Sequence, residues 1–337
     1  LEQGDTVRGF IVVMFICARL SRPMLVTQWQ LIIETMTPTA RAELGLPDPP
    51  AITNRKAHKA YYRNLRTRFH ALERLFDFSL YPRNRRYTEQ EMTAVMATEK
   101  MIERLAELTP ERVEVLRGRL TWFINRILRI SHQAAPRELL SAWQGGLAID
   151  ATPVSTFARH PAREPKSKQR RDRRILVFST DPEGGWYIRE GDHSDVDQLP
   201  GGGTPTKHIY AYEHTHATLG ALTKAERGRY PKLVASMVIP HIPGESPGRN
   251  GRRAIDLAKE AMAELGFIAT RAIGDNAYVN ARPEDFAIPL RASGIELVID
   301  YNSKQRGLQG EHDGANLVEG WWYCPAMPQA LVDATAD

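Results

Sequence analysis

Two apolar segments that each stop at an aspartate limit what this chain can fold into. The first reads LAIDATPV and reaches Asp150, and the second reads IGDNAY and reaches Asp275. Short apolar runs bounded by turn residues are typical of buried strands, so each carboxylate is predicted to lie at the rim of a sheet. Two such strands side by side would bring two carboxylates together, which is half of an oxygen-rich cation site.

The character of the sequence changes at Gly145-Gly146. Before this point the pattern is mostly helical. Thr88, with Glu91 three residues later, has the signature of a capping box that opens a helix, which we expect to continue through Leu108. The predicted division of the chain is a helical region at 1–144, a core at 145–302 and a further segment at 303–337.

The core has a recognisable order of elements. From residue 147 the pattern predicts three or more strands joined by hairpin-like turns, followed by a helix, a strand, a helix and a strand. This order predicts an α/β fold with a mixed sheet, in which an antiparallel meander is continued by right-handed βαβ crossovers. In such a sheet the strand that carries Asp275 can lie beside the strand that carries Asp150.

Positive charge is concentrated in two stretches, although the net charge of the chain is only +5. Residues 54–86 hold ten Lys or Arg against two acids, and residues 159–174 hold eight against two. Such clusters indicate a polyanionic partner, most often nucleic acid. We therefore expect a DNA-binding helical region and a basic loop at 159–174. The alternative is an ordinary solvated surface.

The cysteines and the apolar runs indicate a cytoplasmic protein without a membrane partner. Cys17 and Cys324 are far apart in the sequence, which argues against a disulfide framework. The apolar run from Phe10 to Cys17 is too short to span a bilayer and lacks a secretory cleavage pattern. The chain begins with Leu, and we expect that both of its ends are cut.

Four blocks, in order, resemble the catalytic core of the DDE transposases encoded by bacterial insertion sequences. These blocks are LAIDATPV at 147–154, KHIYAY at 207–212, VIPHIPGE at 238–245 and IGDNAY at 273–278. The segment that they mark, from about 145 to 302, is nearly half of the chain. The resemblance implies an RNase H-like mixed sheet with flanking helices, preceded by an all-helical region that binds the ends of the element.

The same resemblance implies a function. It is metal-dependent cleavage and strand transfer of phosphodiesters at transposon ends, with Asp150 and Asp275 as catalytic residues that bind Mg²⁺ or Mn²⁺. The implied partner is double-stranded DNA, both transposon ends and target, bound by a homodimer in a cytoplasmic, nucleoid-associated complex. The candidate DNA-binding residues are Lys207, Arg170, Arg171, Arg173 and Arg174.

The sequence departs from the family pattern at the third acid, which is normally a glutamate on a helix. Glu311 and Glu319 lie in glycine-rich sequence without a helical period. We therefore expect the third acid beyond Asp337, and 303–337 to be the start of a truncated insertion or C-terminal region. This departure leaves open an alternative, a catalytically inactive, truncated DNA-binding remnant. An unrelated metal-dependent nuclease is a more distant reading.

The candidate site residues also have structural interpretations. Asp150 could be a turn or N-capping residue, and Asp275 could form an Asx-turn. His214 and His216 lie on one face of a predicted strand, and we favour strand packing or DNA contact over a soft-metal pair. Lys207 could be a solvated residue at a strand end.

Two further segments have a functional and a structural reading. The loop at 243–251 precedes a predicted helix and could bind phosphate there, although we favour a turn and cap. The aromatic triplet at 321–323 could stack on unpaired bases, although we favour core packing in the insertion domain that 303–337 would begin.

Overall fold

A computed structural model describes residues 4–51, 53–83, 85–156, 158–163, 174–190, 206–299 and 306–334. The helices are α1 Gly4–Arg19, α2 Val26–Thr35, α3 Pro38–Glu43, α4 Arg55–Glu73, α5 Glu89–Met96, α6 Glu99–Glu107, α7 Pro110–Ala134, α8 Arg137–Leu140, α9 Pro247–Glu264, α10 Asn276–Val279, α11 Ala287–Ala292 and α12 Gln329–Val332. The strands are β1 Gly146–Ser155, β2 Ala162–Arg163, β3 Ile175–Val177, β4 Gly185–Glu190, β5 Thr206–Leu219, β6 Val234–His241, β7 Arg271–Gly274, β8 Glu296–Ile299, β9 Leu308–His312, β10 Ala315–Val318 and β11 Trp321–Tyr323.

The chain forms two compact units. The first consists of Leu1–Phe78 and Pro110–Leu116, and the second of Ser79–Thr109 and Arg117–Asp337. The core of the first unit lies among α1, α2 and α4, and includes the fully buried side chains of Phe10, Trp29 and Leu65. The domain boundaries predicted from the sequence, at 144/145 and 302/303, stay predictions.

Local signals place the start of α5 correctly and its end incorrectly. The predicted capping box is present, because the Thr88 side chain accepts from the backbone of Glu91 and the Glu91 side chain accepts from the backbone of Thr88. The prediction of one helix through Leu108 is wrong, since α5 ends at Met96 and α6 begins at Glu99. The Thr98 hydroxyl donates to the carbonyl of Val95. Such a local bond competes with helix continuation.

A mixed sheet forms the centre of the second unit. Strands β1 and β5 are antiparallel, as are β5 and β6, whereas β1 pairs parallel with β7 and β7 parallel with β8. The strand order is therefore β6-β5-β1-β7-β8, and β4 pairs with the first half of β5. This arrangement confirms the predicted α/β class with a mixed sheet. It also confirms that the strand leading to Asp275 lies beside the strand with Asp150.

Helix α9 covers one face of this sheet and α7 covers its β6 edge. Residues of α9 that are fully buried, such as Ile255 and Ala258, pack with Leu147 and Ile149 of β1 in one apolar cluster. Gly266, with φ of 82°, follows the end of α9 and allows the left-handed backbone there.

Side chains of helix α7 form hydrogen bonds with the backbone of β6. Thr121 donates to the carbonyl of Ile239 over 3.0 Å. Asn125 donates to the carbonyl of Met237 over 2.6 Å and accepts from its N–H over 3.0 Å. A helix that satisfies the backbone groups of an edge strand prevents that strand from pairing with another chain.

Strands β9, β10 and β11 form an antiparallel sheet at the C-terminal end of the sequence.

Both cysteines are free, with Cys17 buried and Cys324 exposed. Among the helices of the described ranges, none has the length and apolar character needed to cross a bilayer.

Candidate metal-binding site

Asp150 and Asp275 lie at the same level on neighbouring parallel strands. The parallel register pairs Gly146 with Arg271 and Ala148 with Ile273, a constant offset of 125 residues. Continuing this offset by two positions from Ala148 brings Asp150 level with Asp275, since 150 and 125 add to 275. Neighbouring strands are about 4.8 Å apart, so the register brings the two backbones close together.

The expected strand end is observed for β7 but not for β1. Strand β7 stops at Gly274, one residue before Asp275. Strand β1 continues past Asp150 to Ser155, because β5 pairs with it along this whole length. The carboxylate of Asp150 therefore lies at the point where β1 loses its β7 neighbour rather than where the strand ends.

Asp150 occupies the face of the sheet that points away from α9. Side chains alternate along a strand. Leu147 and Ile149 pack with α9, so Asp150 lies on the opposite face, and Asp275 comes directly after the last residue of β7. Both aspartates are exposed. Both carboxylates are therefore accessible to a ligand.

Each aspartate uses one oxygen atom for a local hydrogen bond. Asp150 Oδ1 accepts from the N–H of Ala151 over 2.8 Å, and Asp275 Oδ1 accepts from the N–H of Ala277 over 3.0 Å. The second bond is the Asx-turn that the structural interpretation of Asp275 predicted. The Oδ2 atoms make no hydrogen bond within the described ranges, so each carboxylate keeps one oxygen atom for a cation.

Two histidines lie on the same face as Asp150. In the antiparallel register His216 is directly opposite Asp150, and His214 is opposite Thr152. The imidazole ring centres are 5.4 Å apart. Burial, then His216 and His241, lower the pKa of His214, and Asp150 acts against them. His214 is therefore neutral at pH 7. It adds a polar group, but no charge, to the face of the sheet that carries Asp150.

The opposite face of the same strands holds a polar cluster that the sequence analysis missed. Glu213 and His241 are each only 7% exposed. Glu213 accepts from the N–H of Gly244 over 2.9 Å and lies 3.6 Å from His241 Nδ1, while Thr215 Oγ1 is 3.0 Å from His241 Nε2. The signal was in the alternation of β5, which places Glu213 on the same face as the buried Ala211 and Ala217.

Tyr278 is a further buried polar residue to which the sequence analysis gave no role. It follows Asp275 by three residues in α10, and only 3% of it is exposed. Burial, then the charges of Asp275, Asp150 and Glu213, raise its pKa above the ordinary value of 10.0. The hydroxyl therefore keeps its proton at physiological pH and remains a hydrogen-bond donor.

The candidate DNA-binding residues are only partly described. Arg170, Arg171 and Arg173 lie outside the described residues. Arg174 is exposed, and its Nε donates to a carboxylate oxygen of Glu89 over 2.7 Å. Lys207 is opposite Arg189 in the pairing of β4 with β5. The assignment of these five residues to DNA contact stays a prediction.

The aromatic triplet and the loop before α9 each had a functional and a structural interpretation. Trp321, Trp322 and Tyr323 are 68%, 56% and 41% exposed, and their packing in an insertion domain stays a prediction. The loop makes a tight turn into α9, in which Ser246 has a positive φ of 47°. The turn is as expected, whereas the side-chain cap is not observed, because Ser246 makes no capping hydrogen bond.

The donors at the two aspartates suit a hard cation. Carboxylate oxygens are the ligands that Mg²⁺ and Mn²⁺ prefer, and Mg²⁺ commonly uses only one or two carboxylates and completes its shell with water and phosphate oxygens. Within the described residues there is no group of three or more His, Cys, Asp or Glu side chains that could hold a metal ion. A cation bound at the described residues would therefore have at most two of these side chains as ligands at one place.

No protein-family model matches the chain, and the comparisons with curated proteins and with solved structures likewise yield no match.

Proposed function

We propose that this chain is a DDE-type transposase that cleaves and joins DNA at transposon ends with the help of Mg²⁺ or Mn²⁺. The observation that carries the proposal is the offset of 125 residues between β1 and β7, which brings Asp150 level with Asp275 on an exposed face. Two aspartates this far apart in the sequence come to lie on or beside neighbouring strands only because β1 pairs with β7.

The topology of the sheet supports the same proposal. An antiparallel meander of β1, β5 and β6 is followed by α9 and by two strands parallel to β1. This is the arrangement implied by the resemblance to an RNase H-like core, with the second aspartate strand beside the first. Fold alone does not determine function, so the proposal depends on the two carboxylates together with this arrangement.

The residues of the chain would contribute position and charge. A bound divalent cation would act as a Lewis acid on the scissile phosphodiester and on the attacking oxygen of water or of a 3′-hydroxyl. Asp150 and Asp275 would hold that charge at the exposed face, each through the oxygen that its backbone contact leaves available. One P–O bond forms to the attacking oxygen as the scissile P–O bond breaks, and positioning with charge neutralisation provides most of the catalysis.

The proposed partners follow from the same reading. The substrate would be double-stranded DNA, held by the helical region and by basic residues that include Lys207, Arg174 and those of the 159–174 stretch. Phosphate contacts of this kind are independent of sequence and weaken with salt. We further propose that the chain acts as a homodimer on DNA, in the cytoplasm at the nucleoid.

A plasmid-nicking assay tests the proposal. Purified protein is incubated with supercoiled plasmid and Mg²⁺ or Mn²⁺, with EDTA as a control, and we expect nicking that requires the metal. Asp150→Asn and Asp275→Asn each keep an oxygen that can accept the local N–H but remove the charge. We expect each variant to lower the nicking rate on the order of 100-fold or more.

Asp313→Asn is the matched control for removal of one carboxylate. The Asp313 side chain is 92% exposed in a turn with φ of 48°, a conformation that asparagine also adopts. This variant should nick as the wild type does. Full activity of both Asp150→Asn and Asp275→Asn would reject the metal role and leave the Asx-turn as the function of Asp275.

The inactive remnant is the second candidate function. The supporting observation is that the described residues provide no third acidic or histidine ligand beside the aspartate pair. DNA binding by the wild type without nicking, in the presence of either metal, would favour the remnant over the enzyme.

A further inference from the structure

The imidazoles of His214 and His216 lie side by side on the face of the sheet that carries Asp150. Both histidines belong to β5, and side chains two residues apart along a strand point to the same face. Asp150 is directly opposite His216 in the antiparallel register, and Thr152 is opposite His214. Both histidines are half-buried. The two rings are therefore partly open to solvent on the same side as the Asp150 carboxylate.

The distance between the two rings fits a pair of ligands on one metal ion. The ring centres are 5.4 Å apart, and the ring planes are inclined by 44°. In a tetrahedral zinc site with each nitrogen about 2.1 Å from the ion, two imidazole ring centres lie about 5.3 Å apart. Aromatic rings that only pack on each other also have centres about 4.5–7 Å apart, so a second observation has to separate the two interpretations.

That observation is a ring nitrogen of His216 that no protein group holds. Within the described residues, His216 Nδ1 is shielded from solvent and makes no hydrogen bond. The large majority of buried polar atoms are bonded, so strand packing alone leaves this nitrogen unexplained. No hydrogen bond to Nδ1 has to break when the ring turns a nitrogen toward a cation between the two histidines.

The charge beside the two rings also favours a cation. Residues directly opposite each other on antiparallel strands have Cβ atoms about 4.5–5.5 Å apart, so the exposed carboxylate of Asp150 lies next to His216. The described residues provide no group of three or more His, Cys, Asp or Glu ligands. Water would therefore fill the coordination positions that the two imidazoles leave open.

We propose that His214 and His216 together bind a divalent cation of the zinc class on the face that carries Asp150. Imidazole nitrogen suits Zn²⁺, Ni²⁺ and Cu²⁺, whereas Mg²⁺ and Mn²⁺ prefer carboxylate oxygen. The site thus differs from the aspartate pair in its ligands, and it does not require the proposed function. The ring spacing and the unbonded nitrogen favour the soft-metal interpretation, which the sequence alone made the less favoured one.

Titration of the full chain with Zn²⁺ in a calorimeter tests the proposal. All proteins carry Cys324→Ser, because the exposed thiol of Cys324 is itself a zinc ligand. Glutamine is a poor zinc ligand, so His214→Gln and His216→Gln should each raise the Kd for Zn²⁺ at least about 10-fold, which is what the loss of even an outer partner of a metal costs. Zn²⁺ should also raise the melting temperature of the parent protein more than that of either variant, because a ligand stabilises the state that binds it.

His312→Gln is the matched control. The His312 side chain is 77% exposed on β9, and glycines occupy the positions two residues before and after it, so it has no second histidine beside it on its strand. This variant should bind Zn²⁺ within about twofold of the parent protein, a change that is small beside the loss of a metal partner. If a glutamine variant at 214 or 216 fails to fold, asparagine at the same position replaces it, because its amide lies close to where the ring has Nδ1.

The outcomes separate this inference from the proposed function. If His214→Gln and His216→Gln bind Zn²⁺ as His312→Gln does, or if only one of them weakens binding, the two-histidine site is wrong and the aspartate pair is unaffected. Asp275→Asn should lose metal-dependent nicking and keep Zn²⁺ binding. If Zn²⁺ binding depends on both histidines while the parent protein does not nick DNA with any metal, the proposed function fails and the zinc site stands.

Discussion

The two faces of the central sheet are made by alternate residues of the same strands, yet they differ in almost every physical property. On the face toward α9, Leu147 and Ile149 are at most 5% exposed. On the other face, Asp150 is exposed, His216 opposite it is half-buried, and Val298 of β8 is 43% exposed. One face contributes apolar burial, and the other leaves polar atoms accessible.

This difference shows how one short strand can bury apolar side chains on one face and expose polar side chains on the other. Because side chains alternate every residue, a strand needs only a two-residue pattern to separate the functions. Ile149 packs with the α9 cluster, and Asp150, the next residue, faces the side where a cation and DNA phosphates could approach. The contrast between the faces can be tested directly with substitutions.

The largest expected effect comes from a pair of neighbouring substitutions. Ile149→Ala should lower the free energy of unfolding by about 2–5 kcal/mol, because it leaves a cavity in the packed face. Asp150→Ala, at an exposed position, should change it by no more than about 0.5 kcal/mol. Urea denaturation followed by circular dichroism measures both. Equal losses at the two positions would break the contrast between the faces.

A smaller effect tests how tightly the packed face is fitted around Tyr278. Gly251→Ala should lower the free energy of unfolding by about 1–3 kcal/mol. The new methyl group would lie only 2.6 Å from Tyr278 Cε1, so the Tyr278 ring would have to shift. Gly118→Ala in α7 meets only an Arg253 nitrogen at 3.9 Å, so it should stabilise by about 0.5–1 kcal/mol through helix propensity. Thermal unfolding compares the two variants. If Gly251→Ala stabilised the protein instead, the packing around the Tyr278 ring would be loose.

The smallest expected effect concerns pH and the polar cluster on the packed face. Burial lowers the pKa of His241 below its ordinary 6.5, against the raising effect of the Ile242 carbonyl and Glu213. Below 6.5 the unfolded chain then binds more protons than the folded one, so stability is present above that pH and is lost as pH falls. His241→Gln should reduce this loss in unfolding experiments between pH 7 and pH 5. His214, whose pKa is also lowered, should leave a residual slope.

An unchanged slope in His241→Gln would indicate that His241 does not control the acid sensitivity of the sheet. The contrast between the faces would then rest on apolar packing alone. A reduced slope would sharpen it, because it would show that the packed face tolerates Glu213 and His241 only while the histidine is neutral.

Local patterns predicted much of the fold. The apolar runs before Asp150 and Asp275 became β1 and β7, and the order of elements predicted a meander followed by parallel strands, as observed. The capping box at Thr88 was also visible, because capping depends on side chains within three or four residues.

Features that depend on distant partners could not be predicted. Strand β1 runs past Asp150 because β5 pairs with it to Ser155, which the composition of β1 does not indicate. The bonds from Thr121 and Asn125 to β6 join residues more than 110 positions apart.

By itself the sequence determined that two apolar strands each lead to an aspartate, because hydrophobic patterning is a local property of the chain. Only the tertiary structure decided that these strands are parallel neighbours with an offset of 125 residues, and that the Tyr278 side chain is buried against α9. Register and the surroundings of a side chain depend on contacts between residues far apart in sequence, and those contacts exist only in the folded state.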